Sequence, residues 1–163
     1  WGVEVKVPAA VSCALDGPEQ GKPATEWAAL GITRADGSRL AADKGLSYLV
    51  MPAGRYGPAF LVTDNFYVLK RYNNSDLYAL YIGHLADRFT ADRPFAGAWK
   101  PVGTFSRGEV KAMQDELIAE GYDVGNADGL VGFKTRIAIG LWQAKRGQAQ
   151  TCFPDAKLIH GIH

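Results

Sequence analysis

Two stretches of the 163-residue chain hold side chains whose types and spacing could do chemistry. The first is Arg71-Tyr72-Asn73-Asn74-Ser75, with Tyr78 just beyond it. A tyrosine can lay a flat face on a sugar ring and offer a hydroxyl at its edge, and an asparagine amide can both donate to and accept from an acetamido group. On residue chemistry alone, Asn73, Asn74 and Ser75 read more readily as a turn and a helix cap. The second stretch runs from Gly121 to Gly132 and carries four glycines in twelve residues, so its backbone must turn through positive φ or approach a neighbour closely. Its acidic residues do not alternate as calcium ligands do, and no closing glutamate follows. It also lacks the glycine-lysine-threonine ending and preceding strand of a phosphate loop.

Other chemistries find little support. Cys13 and Cys152 are too few and too far apart for a disulfide scaffold or a zinc site, and they pair only if two units dock there, so the sequence leans toward free thiols. Three histidines, two of them in the last four residues, give no metal spacing. No metal or cofactor is expected. His84 falls on the apolar stripe of a helix, where a histidine is more often packed than reactive. With 18 Lys+Arg against 17 Asp+Glu, spread evenly along the chain, there is no basic surplus to grip nucleic acid. Apolar residues make up 47% and charged residues 21%, which is enough for a core and unlike a disordered chain.

The elements that must position these residues divide into two units. Val3, Val5 and Val7 alternate with Glu4 and Lys6 as in a half-buried strand, and Tyr48 to Met51 suggests another. Ala59–Thr63 and Phe66–Lys70 flank Asp64-Asn65, a pattern that predicts a hairpin. Pro23 to Leu30 reads as a short helix stopped by Gly31, and Ser75 can cap a longer one carrying Leu77, Leu80, Tyr81 and Leu85. Pro94, Gly97, Pro101 and Gly103, together with Asp92 and Arg93, break every period and read as a linker over 91–103. Beyond it, Ser106 and Glu109 form a capping box before the face Val110, Met113, Leu117 and Ile118. Gln114 lies inside that stripe, so its amide must find partners, expected in loop backbone. A second helix follows from about Lys134 to Arg146, with Thr135, Ala138, Ile139 and Trp142 inward. Ile137 and Leu141, on its other face, read as an exposed patch or a seam to the first unit, and Pro154 starts a third, short helix. The fold class expected is α+β: a small antiparallel sheet with flanking helices over 1–90, then a three-helix module over 104–163.

Met113-Gln114, Gly121-Tyr122, Asp128-Gly129, Gly132 with Thr135, Ala138-Ile139 and Trp142-Gln143 together resemble the peptidoglycan-binding domain 1 of bacterial wall enzymes. The resemblance departs around Thr151-Cys152-Phe153. It implies a shallow murein-holding groove near the glycine loop, with Asp128, Thr135 and Gln143 at matched positions; Trp142 reads as packing. Independently, Trp1 to Val5, Glu26 to Gly31 and Phe66 to Leu85 are similar to the C-terminal end of the lytic murein transglycosylase B family. That resemblance carries glycan-binding roles onto Tyr72 and Asn73, with Tyr78 a weaker match.

In such enzymes a single glutamate acts as acid and the sugar's 6-hydroxyl closes a 1,6-anhydro product, where most glycosidases use two carboxylates. Here Glu4 sits on the polar side of a strand, Glu26 in the first turn of a helix, Glu109 in a cap, and Glu116 and Glu120 on a polar helix face. None suits a buried acid, and the family resemblance implies that the glutamate lies on a helix upstream of the position matched by Trp1; no catalytic residue is therefore expected in this chain, and the acid is expected in a missing N-terminal part of the same enzyme. The resemblance implies peptidoglycan glycan strands as partner, no nucleic acid, and a bacterial periplasmic or cell-envelope setting; whether a membrane anchor sits in that missing part stays open. It sets no oligomeric state. The competing reading is a non-catalytic peptidoglycan-binding or scaffolding protein; a wall amidase or peptidase lacks any metal or nucleophile cluster.

Overall fold

A computed structural model describes residues 1–41, 45–91 and 94–161. In chain order the elements are β1 (Gly2–Lys6), β2 (Lys22–Pro23), α1 (Ala24–Ala29), β3 (Thr33–Arg34), β4 (Leu46–Val50) and β5 (Ala59–Val62). They are followed by α2 (Asp64–Tyr72), α3 (Asp76–Arg88), α4 (Arg107–Ala119), α5 (Phe133–Lys145) and α6 (Ala156–Gly161). The strands form one antiparallel sheet among the described residues, in the order β2-β4-β5-β1-β3.

Successive side chains of a strand point to opposite faces, and here both faces are covered. Leu49 and Leu61, paired across β4 and β5, pack with Val5, Trp27, Ile32 and Met51 on one side. Val50, Phe60 and Val62 point the other way, against Phe66 of α2 and Ala79 and Leu80 of α3. That double burial explains why Ala59 to Val62 reads as an unbroken apolar run.

The expected hairpin does not form: residues 64–72 are the helix α2. β5 already has β1 on one side and β4 on the other, which leaves no edge for a returning strand. Asp64 then serves as an acidic residue in a helix's first turn rather than in a tight turn. Phe66 to Leu69 is apolar enough for either structure, and packing of Phe66 into the core decides it.

The C-terminal helices surround a core of Val110, Met113, Leu117, Ala138, Ile139 and Ile159. The Ser106–Glu109 capping box is complete, whereas Ile118, expected inside, is 46% exposed. Residues 94–100 are irregular, as the broken periodicity implies, but tightly held. Phe95 lies against Phe60 and stacks on His84, Glu4 accepts the amides of Ala96 and Gly97, and Trp99 lies over Gly57. Asp92 and Arg93 fall outside the described residues.

The two units meet along a buried seam. Cys13 and Cys152 form a disulfide, against the expectation of free thiols, because the turn at 13–15 packs directly on α5. Gly140 makes this possible: a Cβ there would stand 2.2 Å from Cys13 Sγ. Ile137 is half-buried and Leu141 exposed; the seam itself is made where Phe133 meets Gly17, Arg136 meets Asp16 and Gly140 meets Cys13.

Candidate functional site

A groove of ≈ 1020 Å³ opens between the units. One wall is the segment Asn73-Asn74-Ser75-Asp76 between α2 and α3; the other is the glycine loop at Asp128 to Gly132 with the start of α4.

The first wall is built by capping. Asn73 ends α2, and its Oδ1 accepts the amide of Ser75 at 3.2 Å. Ser75 caps α3, its Oγ accepting the amide of Tyr78. The bland cap reading of this stretch is therefore real geometry, and it leaves Asn73 and Asn74 on the groove. Tyr72 is 86% exposed and Tyr78 half-buried, with ring centroids 6.0 Å apart, but neither ring lines the groove.

The second wall hangs on Gln114, which is wholly buried. Its Oε1 accepts the Gly129 amide at 2.8 Å, and its Nε2 donates to the Leu130 carbonyl at 2.9 Å and to Thr135 Oγ1 at 3.0 Å. Gly125 and Gly129 take the positive φ that the glycine spacing implied. Asp128 is exposed on the groove, its Oδ1 holding the Leu130 amide while its carbonyl accepts from Arg107 Nε. Thr135 lines the groove but is 1% exposed and is occupied by Gln114 and the Val124 carbonyl. Gln143 lies elsewhere, its amide bonded to Thr151. The structure thus brings Asn73, Asp128 and Thr135 to one groove and leaves Tyr72, Tyr78 and Gln143 off it.

A chain of charges under the groove floor escaped the sequence reading. Arg136 of α5 donates from Nε to Asp16 Oδ2 at 2.5 Å and from Nη2 to Asp76 Oδ2 at 3.0 Å, and Lys70 meets the other Asp76 oxygen at 2.6 Å. Burial pushes the Asp16 carboxyl up, against the pull of Arg136. Burial also acts on Asp76, but the Arg136 and Lys70 charges outweigh it and hold that carboxyl below its ordinary value. Arg136 loses solvation, yet its two carboxylates raise its pKa and keep it charged. The legible hint was Gly140: a glycine inside a helix costs stability, and with Arg136 and Gln143 it marks a second buried face of α5.

A glycosidic acid must be held protonated beside the bond it cleaves. Asp76 is shifted the other way, and Asp16, shifted upward, is sealed behind Arg136 with no exposure. Among the described residues, no group of three or more His, Cys, Asp or Glu could hold a metal.

The transglycosylase SLT domain model matches residues 1–87, and that of a putative peptidoglycan binding domain matches residues 106–159. The chain belongs to the SLT transglycosylase family. It is also similar, at 36% identity, to SltB3 from Pseudomonas aeruginosa, solved in complex with NAG-anhNAM-pentapeptide (TM-score 0.86) and with NAG-NAM-pentapeptide (TM-score 0.87). Those alignments cover 99% and 100% of this chain but 44% of each SltB3 chain, so it spans under half the length of these relatives. No curated protein sequence matches it. The α+β architecture of this SLT chain is that of SltB3, with a sheet unit followed by a peptidoglycan-binding module.

Proposed function

We propose that the chain is the C-terminal portion of a lytic transglycosylase, and that the groove between its units holds a peptidoglycan strand. The observation that carries this reading is the groove itself, with Asn73 and Asn74 on one wall and Asp128 on the other. The Asn73 and Asn74 amides and the Asp128 carboxylate, set among Lys70, Arg107 and Lys134, can bond the hydroxyl and acetamido groups of N-acetylated sugars. Tyr72 and Tyr78 flank the first wall, where a strand leaving the groove would meet them. The two SltB3 complexes, each with a disaccharide pentapeptide, support a ligand of that class.

The reaction would break the bond between N-acetylmuramic acid and N-acetylglucosamine. The muramyl 6-hydroxyl attacks its own C1, forming the 1,6-anhydro bond as the glycosidic bond breaks; the acid's proton leaves with the departing sugar's 4-oxygen, and the carboxylate so formed takes the proton that the 6-hydroxyl gives up. That acid lies outside these 163 residues, which supply walls and grip. The setting is the periplasm or cell envelope; no described helix is long and apolar enough to cross a membrane.

Titration of the 163-residue chain with NAG-NAM-pentapeptide should show saturable binding. Asn73→Ala and Asp128→Ala should each weaken it by about three- to tenfold, the worth of a hydrogen bond or two. On purified murein sacculi the chain should release no anhydro-muropeptides. Absence of binding would sink the groove, and turnover would sink the assignment of the acid.

A further inference from the structure

Arg136 stands in the C-terminal module, but its partners stand in the first unit. A guanidinium at 1% exposure is costly unless its charge is matched, and Asp16, equally buried and facing it with both oxygens, would match it alone. The structure goes further: the same guanidinium reaches the carboxylate of Asp76, the first residue of α3. Asp76 follows Ser75, whose amide is held by Asn73. A short run of contacts therefore joins a module cation to the groove-facing asparagines, and Lys70 braces the same carboxylate from α2. Two cations and two carboxylates balance, so the cluster adds no net charge where Lys70, Asp76 and Arg136 line the groove beside the asparagines.

We propose that Arg136 is a positioning residue for the glycan groove, fixing Asn73 and Asn74 on the opposite wall through Asp76. The inference rests on the groove being the glycan site. It makes the wall-binding module more than a tether, because first-unit contacts to sugar would depend on a side chain the module supplies. A role in stability alone would leave the geometry of Asn73 and Asn74 in the folded protein indifferent to the Asp76 link.

The test uses the full 163-residue chain with Asp76→Asn and Arg136→Lys. Amide resonances of α4 and of Gly129 report whether the second wall is intact, and the Asn73 and Asn74 side-chain amide resonances report the first. Asp76→Asn should keep the former, shift the latter, and weaken binding of NAG-NAM-pentapeptide about tenfold. Arg136→Lys, which keeps the charge but loses the fork, should fall between Asp76→Asn and the wild type. A folded Asp76→Asn chain with wild-type Asn73 and Asn74 resonances overturns the proposal. Should Arg136→Lys fail to fold, Asp76→Asn decides alone. If the wild type itself does not bind the disaccharide, the groove reading fails, and the asparagine resonances still judge the positioning.

Discussion

The two walls of the groove are fixed by opposite means. The glycine loop hangs on a neutral amide, Gln114, whose three bonds reach 15 to 21 residues along the chain, all within its own module. The Asn73–Asp76 wall rests on Arg136, whose bonds reach 60 and 120 residues, across the seam between units. A buried amide left without partners forfeits its hydrogen bonds; a buried charge left without a partner also keeps an uncompensated solvation cost. Charge therefore makes the first wall conditional on docking, whereas the second is completed by its own helices.

The sharpest way to break this contrast is Arg136→Met. It removes the cation but leaves Asp16 enclosed with no exposure, so the folded state should lose about 3–5 kcal/mol. Denaturant unfolding should show that loss, and an Arg136→Met/Asp16→Asn double variant should recover part of it, since the orphaned charge then goes too. A loss in the double variant equal to the sum of the singles would mean that the pair is not coupled as its geometry implies.

Next in size is Gln114→Leu, which strands the buried Gly129 amide and the Leu130 carbonyl and should cost about 2–3 kcal/mol by the same measurement. Its structural effect should stay on its own side: resonances of residues 125–132 move, and those of Asn73 and Asn74 do not. Movement of both sets would erase the distinction between a self-contained wall and a docked one.

Sequence made these walls unequally readable for the same reason. Gln114 in an apolar stripe next to a glycine-rich loop announces a local hydrogen-bond problem with a local solution. The Ser106–Glu109 capping box and the Ser75 cap were legible likewise, because caps are settled within one turn. In the sequence Arg136 is one cation among several on its helix, and nothing within a few turns of it names Asp16 or Asp76. Cys13 and Cys152 failed in the same way: their pairing follows from docking at Gly140, and only the docked structure supplies it. The misread hairpin belongs here too, because α2 is a helix for the non-local reason that β1 and β4 already flank β5. Of the candidate ligands, Asn73 and Asp128 reach the groove because caps and an Asx turn place them. Thr135 and Gln143 carry their motif's pattern mainly as internal hydrogen-bonding residues.

The smallest expected effect tests the electrostatic half of the comparison by pH. Asp76→Asn keeps one acceptor oxygen, so at neutral pH it should cost about 1.5–2 kcal/mol, the lower end for one charge-assisted bond. Because the folded-state pKa of Asp76 lies below its unfolded value of 3.8, the carboxylate's contribution is complete above that value and is lost as pH falls through the lower, folded one. The stability gap between wild type and Asp76→Asn should therefore be constant from pH 7 to about pH 5 and close below pH 4. Asp16, whose carboxyl burial pushes up, contributes with the opposite sign: its share is present at low pH and declines as pH rises through its folded value. Gln114→Leu, which touches no titrating group, should show a gap that is flat across the range. A flat gap for Asp76→Asn as well would mean that the first wall is held by shape and hydrogen bonds, as the second is, and that the charge adds nothing to it.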